Sequence, residues 1–523
     1  MGGGLLQLVA YGAQDAYITG NPHITFWKVL YKRHTNFAME AFRVNFTGSP
    51  QYGQRVVAII NRNADLMYKT YLEVQLPDTS TADVKWTAAW ERRLGYQLLK
   101  KIEVEIGGQI IDTHYGEWLF LWENLTSNFD NSVKLDGILG GYLGGTETTA
   151  VSCGGRPAIL YIPLQFWFCR NPGLALPLIA LQYHEVRINV TLSPATDLVT
   201  AIPGTNTVSQ QAALLPQLKD MALYIDYIYL DVDERRRFAQ QSHEYLIDQL
   251  QFGLQQTLTT ASARIDLTLN HPVKELVWVF QDARKTDCGS DLTKNTGYTQ
   301  PFSYDDIVNR CRLQINGQDR FDERYGDYFW KVQPYQHHTG GAFWPMRAQV
   351  IAPAALTVLA GSCSVVGDVL TVGATPSGGT ATNQFIIEGA LVSTTAGTTF
   401  APGTIIQSYG TGSGGVGTYQ LSEPALVPSA TGLAVIFTLP NLNYTPHENP
   451  INVYSFALQP EEHQPSGTCN FSRIDTTTLV FDSIATAGIA KPTKSTPFNF
   501  RMYAVNYNIF RVMSGMGGLA YSN

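Results

Sequence analysis

Two stretches of this chain repeat one another in outline, and that duplication limits its possible folds more than any other feature. Ile102–Trp118 reads IEVEIGGQIIDTHYGEW, and Cys311–Phe329 reads CRLQINGQDRFDERYGDYF. Each opens with apolar and polar residues in alternation, the period of a half-buried strand. Each continues through Gly-Gln or Asn-Gly-Gln, residues that suit a tight turn, and ends on Tyr-Gly-acid-aromatic. A second pair follows in the same order. Tyr224–Val232 (YIDYIYLDV) and Tyr503–Val512 (YAVNYNIFRV) are Tyr-rich alternating strands, each near the end of its half. Two matches in one order predict a duplicated β domain.

The remaining sequence agrees. Apolar or alternating runs bounded by turn residues recur at Arg55–Asn61, Leu66–Leu76, Leu98–Ile106, Ile159–Phe168, Val186–Leu192 and Leu223–Leu230. A second series runs through Tyr245–Phe252, Ala263–Leu269, Lys274–Phe280, Arg310–Ile315, Val453–Leu458, Thr478–Phe481 and Phe500–Phe510. Short strands at this spacing predict sandwiches or barrels. The helical patterns are short, at Ile24–Tyr31 and Glu117–Leu125. At 523 residues the chain exceeds what one core supports. Only 15% of residues are charged, against about 25% in typical soluble chains, which suits a protein that hides surface against neighbours.

One segment stands apart. Ala348–Pro440 contains no Lys or Arg, and its only charges are Asp368, Glu388 and Glu423. It is rich in Gly, Thr, Ser, Ala and Val, with β-type runs at Asp368–Val372, Phe385–Ile387, Thr404–Ile406 and Ala434–Phe437. An unstructured loop of that length is improbable in a compact domain, so the expectation is a small inserted β module. The corresponding slot of the first half, Ser127–Pro157, is also long and rich in Gly, Ser and Thr.

Charge and composition exclude several functions. The net charge is -7, and the densest basic cluster, Arg235-Arg236-Arg237, follows Asp231, Asp233 and Glu234. A solvated linker explains it, and direct coating of nucleic acid would need far more Lys and Arg. No run of about 18 apolar residues predicts a transmembrane helix. The N-terminus, MGGGLLQLVAYGAQDAYITG, lacks signal-peptide character, and Leu6 stands where a myristoylation signal has Ser or Thr. Cys153, Cys169, Cys288, Cys311, Cys363 and Cys469 form no CxxC pair, so a reduced, cytosolic chain is expected. N-x-Ser/Thr sequons stand at Asn45, Asn124, Asn189, Asn443 and Asn470. None is assigned as a glycosylation site, and Asn189 falls within a strand pattern.

No motif carries catalysis. Gly412-Ser-Gly-Gly-Val-Gly417 spells GxGxxG, but the following Thr-Tyr-Gln-Leu-Ser is strand-like where a dinucleotide site needs a helix N-terminus. A turn is the better reading. Walker A and GxSxG sequences are lacking. His337-His338 and Glu461-Glu462-His463 with Cys469 hold metal-ligating residue types without metal-site spacing, and they read as polar loop anchors. Phe166-Trp167-Phe168 could stack on bases or sugars, but within an apparent strand run it reads as core or interface. No catalytic, cofactor-binding or metal-ligating residue is nominated.

Longer runs carry a family likeness. GAQDAYITGNPHITFWKVLYKRHTNFAMEAF (Gly12–Phe42) resembles the N-terminal signature of double jelly-roll major capsid proteins of nucleocytoplasmic large DNA viruses. EVEIGGQIID (Glu103–Asp112), FWFCRNPGLALPLIALQYHEVRI (Phe166–Ile188) and PEEHQPSGTCNFSRID (Pro460–Asp475) resemble further family segments, closest to the chlorovirus-like and giant-virus branch. The resemblance implies an all-β protein of two consecutive eight-stranded jelly rolls. The expected divisions are an N-terminal arm (1–27), a first roll (28–235), and a second roll (236–523) carrying the 348–440 module in a loop. It further implies homotrimeric, pseudo-hexagonal capsomers tiling an icosahedral shell. Expected partners are neighbouring capsomers and minor capsid and penton proteins, with assembly in the host cytoplasm and no contact with the genome. Gly403–Ser422 looks like a β module of viral fibre and surface proteins, so the insertion is a candidate contact with the host surface. The rival readings are a minor capsid or spike protein that binds receptor or glycan through this module, and a virion-associated glycan hydrolase.

Overall fold

The computed structural model describes residues 33–77, 88–90, 93–140, 159–201, 217–283, 304–340, 355–373, 391–394, 406–409, 417–422, 424–427, 429–438, 450–483 and 497–521, with shorter pieces between. Two barrels of the same topology follow one another. In the first, one sheet runs in the order Phe37–Asn45, Asp220–Leu230, Leu66–Gln75, then Ile159–Pro163 and Leu176–Pro177. Its facing sheet runs Arg55–Ile59, Val186–Leu192, Leu99–Ile106, Gln109–His114. In the second barrel the orders are His243–Leu258, Phe498–Met513, Pro272–Asp282, Asn452–Ser455 with Cys469–Asn470, and Ser262–Asp266, Thr477–Ser483, Val308–Ile315, Gln318–Asp319 with Arg324–Tyr325. In both, the first strand pairs with the last and the second with the next to last, all antiparallel. That is jelly-roll connectivity, twice over.

Alternation explains each wall. In Leu99–Ile106 the side chains of Ile102, Val104 and Ile106 are fully buried. Glu103 and Glu105 on the other face meet Arg55 at 3.1 Å and Arg187 at 3.8 Å. In Val186–Leu192, Ile188 and Val190 point inward while Asn189 donates to Glu105 Oε2 at 2.9 Å. Asn189 is therefore a buried strand residue, and Asn124, whose Nδ2 donates to Phe120 O at 2.8 Å, is buried on a helix.

Three expected elements differ. Phe166–Phe168 does not extend a strand: the strand stops at Pro163 and a short helix, Trp167–Arg170, seats all three rings in the core. The Ser127–Pro157 slot contains a helix, Phe129–Ile138, whose entry is capped by Asn128 Oδ1 accepting from Asn131 N at 3.2 Å. The arginine cluster lies on an exposed helix, Val232–Gln240, that joins the barrels, with Arg235 paired to Asp65 at 3.0 Å. Ile24–Tyr31 falls largely outside the described residues, as do Phe385–Ile387 and Asn443. Between the second barrel's strands, Ala355–Val366, Val369–Val372, Leu391–Thr394, Ile406–Tyr409, Gly417–Leu421 and Ser429–Thr438 form a six-stranded antiparallel sheet around Val365, Leu370, Val372, Ile406, Tyr419, Leu421 and Val435. Gly417 opens a strand, Gly417–Leu421, and the rest of the glycine motif lies outside the described residues.

Candidate functional site

The two barrels share a wall. In Pro272–Asp282 every residue after the first is buried, which a strand reaches only when both sheet faces are covered. Leu276, Trp278 and Phe280 enter the second barrel's own core, whereas Val277 and Val279 join the apolar cluster that fills the first barrel. Phe498–Met513 divides likewise, with Phe500, Met502 and Ala504 inward and Tyr503 and Val505 toward the first barrel.

What meets that wall is the first barrel's Gln109–His114 strand and the helix after it, Gly116–Thr126. Leu250 N donates to Asp112 Oδ1 at 3.1 Å, and Gln249 Nε2 donates to the Ile111 carbonyl. Tyr115 packs on Phe252 at 5.2 Å, and Trp118 packs on Tyr503 at 5.5 Å. Glu117 is the polar centre of the seam. Its carboxylate holds the Arg501 guanidinium at 2.6 Å and accepts from Tyr503 at 2.6 Å and Tyr304 at 3.1 Å. A hollow within the seam, beside Trp118, Arg170 and Asp248, has a volume of about 10 Å³, room for one water.

Lys274 and Glu275, adjacent in the shared wall, sit at a β-bulge that breaks the strand's alternation. The Lys274 ammonium is fully buried, with Asp248 Oδ2 at 3.1 Å and the Pro460 carbonyl at 2.9 Å. Burial pushes its pKa below the usual lysine range, opposed by Asp248. Glu275 meets His338 Nε2 at 3.0 Å, and Glu461 meets His338 Nδ1 at 3.0 Å. Burial alone would lower the imidazole pKa, but the flanking carboxylates outweigh it and raise it to about 9. Glu461 also accepts from Thr339 N at 2.9 Å and Thr339 Oγ1 at 2.6 Å.

His338 and Glu461 are thus brought together, and His337 Nδ1 is tied to the Leu458 carbonyl at 3.0 Å, as loop anchors are. Among the described residues no group of three His, Cys, Asp or Glu side chains is arranged to hold a metal ion. Cys469 lies instead in a short strand against Val273. Burial pushes the Cys169 thiol up to about 12, so it is inert at neutral pH. No described helix is long and apolar enough to cross a membrane. The sequence reading missed Glu117, Arg501, Asp248 and Lys274. One signal was available: a Lys-Glu pair inside the otherwise apolar VKELVWVF must find partners if buried.

Two jelly rolls in tandem, welded by a shared sheet, make this a double jelly-roll protein. Residues 25–231 match the family model of the major capsid protein N-terminus. Residues 234–344 and 438–518 match that of the large eukaryotic DNA virus major capsid protein. The chain belongs to this large eukaryotic DNA virus major capsid protein family. It is 42% identical to the major capsid protein of Pyramimonas orientalis virus, covering 100% of each chain. To that of Paramecium bursaria Chlorella virus 1 it is 33% identical, again over 100% of each. A chain of the PBCV-1 virus capsid superposes with a TM-score of 0.62 at 30% identity, covering 95% of this chain and 100% of that one.

Proposed function

We propose that three copies of this chain close into a ring of six barrels and that these rings tile the facets of an icosahedral virion. The seam carries the reading. It joins unlike surfaces: a strand and helix of one barrel, and the outer sheet face of the next. Contacts of this kind either close into rings or run on as filaments. With two barrels per chain and one such joint used internally, three chains supply a ring of six.

In this reading residues 1–27 form an arm, 28–235 and 236–523 are the two rolls, and 348–440 is an inserted β module available to host surfaces. Neighbouring rings, minor capsid proteins and penton proteins are the partners. Assembly takes place in the host cytoplasm, with no contact between this acidic chain and the genome. The role is structural, without catalysis. A minor capsid or spike role is disfavoured, because relatives matched over their whole length carry the name major capsid protein. Light scattering on the purified chain at micromolar concentration tests the ring: the expected mass is three chains, and a monomer would sink the reading.

A further inference from the structure

Two buried side chains face one another across the seam, each with one polar atom still to satisfy. His114 closes the Gln109–His114 strand of the first barrel and is 3% exposed. Its ring stacks on Phe166, with centroids 4.3 Å apart and planes 18° apart. Nε2 lies 3.2 Å from Asp112 Oδ2, whereas Nδ1 has no hydrogen-bond partner among the described residues. Asp248, on His243–Leu258 of the second barrel, is 7% exposed. Its Oδ2 faces Lys274 Nζ at 3.1 Å and Arg170 at 3.4 Å, and its Oδ1 has no hydrogen-bond partner among the described residues. Both residues line the hollow of about 10 Å³ in the seam, together with Arg170. A polar atom so deeply buried is costly to leave without a partner, and here two such atoms belong to one hollow.

We infer that this hollow is a built site for one water molecule, which bridges His114 Nδ1 of the first barrel to Asp248 Oδ1 of the second. Donor and acceptor counts select the ligand. With the Nε2 proton directed at Asp112, Nδ1 is an acceptor. Asp248 Oδ1 is an acceptor too, so the two cannot bond one another, and whatever joins them must donate twice. An anion would face two acceptors and no donor but Arg170. A metal cation would sit beside the Arg170 guanidinium and close to the Lys274 ammonium, and among the described residues no third carboxylate, imidazole or thiol completes a ligand set. Water supplies both hydrogens and keeps its oxygen free to accept from Arg170. Three bonds are what a buried water commonly makes, and the volume holds one. The result is a continuous polar path across the joint, from Lys274 through Asp248, the water and His114 to Asp112, whose Oδ1 accepts from Leu250 N. Aromatic rings and direct hydrogen bonds make the rest of the seam; at this point solvent completes it.

The test is a density map of the full chain at a resolution that shows ordered water. One peak is expected, about 2.7–3.1 Å from both His114 Nδ1 and Asp248 Oδ1. His114→Asn, whose amide can stand near the Nδ1 position, should keep the peak. His114→Leu should lose it and should melt at a lower temperature than His114→Asn. If His114→Leu does not fold, the wild-type map and His114→Asn still decide. No peak in the wild-type map, or one that persists unchanged in His114→Leu, overturns the bridge. Crystals soaked in rubidium bromide separate water from ions: an anomalous peak at the site would identify a cation or a halide and overturn the assignment as well. These readouts are the same for one chain as for three, so they stand apart from the ring reading.

Discussion

His338 is clamped between two carboxylates with its side chain closed to solvent, and that geometry has a pH signature. Its folded pKa of about 9 lies above the ordinary value of 6.5. A group raised in this way binds its proton more tightly when folded. Its stabilisation is therefore complete below about pH 6.5 and lost as pH rises through about 9. The difference corresponds to roughly 3 kcal/mol at most. Glu461 is lowered from 4.5 despite burial, by hydrogen bonds from His338 and Thr339, so its stabilisation is lost on acidification instead. The cluster should stabilise the fold most between about pH 4.5 and 6.5. Calorimetry from pH 6 to pH 9.5 should show the wild-type melting temperature falling more steeply than that of His338→Gln. Lys274 acts in the opposite sense in both proteins, so the comparison isolates the histidine. Parallel profiles would assign the slope to other groups.

At the scale of elements, the sequence repeat turns out to record backbone requirements. Gly107 and Gly108 have φ of 58° and 85°, and Asn316 and Gly317 have 49° and 78°. Two successive positive φ values make the type I′ turn that matches strand twist, and Asn-Gly and Gly-Gly are suited to it. The glycine of each Tyr-Gly-acid motif serves close approach. A Cβ on Gly116 would lie 2.0 Å from the Tyr96 carbonyl oxygen, and one on Gly326 would lie 2.2 Å from that of Val308. Since backbone cannot retreat as a side chain can, Gly116→Ala and Gly326→Ala should each cost about 3 kcal/mol or more. Gly137→Ala, at a helical site with nothing within 4 Å, should be neutral or stabilise by up to ~1 kcal/mol. Urea midpoints read the contrast, and mild effects at both motif glycines would refute the close-approach account. Turn and strand were legible because their causes lie within a few residues. Phe37–Asn45 was not read as a strand, because its first five residues are exposed on both faces and only Phe42 and Val44 turn inward. Helix Phe129–Ile138 was hidden by the Gly, Ser and Thr around it. The Glu117–Arg501 pair could not be read at all, since its partners lie 384 residues apart.

At the scale of the molecule, the question is how a barrel accommodates a six-stranded sheet between two of its own elements. Its exit and return are fastened to each other. Thr339, just before the inserted segment, bonds through N and Oγ1 to Glu461, which lies beyond the return. Gly340 N donates to the Leu125 carbonyl at 2.8 Å, which ties the exit to the first barrel as well. On the return side, Asn452–Ser455 pairs with Glu275–Trp278 in the shared wall. None of these bonds involves the six-stranded sheet, whose apolar cluster is separate from those of both barrels. The family match also breaks off at 344 and resumes at 438. Loop-closure entropy changes only slowly with length, about 0.6 kcal/mol per doubling, so the barrels should not depend on what the loop contains. Replacing Ala348–Pro440 with a short Gly/Ser linker should therefore leave a soluble three-chain species whose melting temperature moves by only a few degrees. Cryo-EM of the trimer should show density lost at one end of the ring, the end we assign to the virion exterior because an inward or lateral bulge would obstruct tiling. An insoluble or monomeric deletion would mean that the sheet supports the second barrel, and the decoration reading would be abandoned.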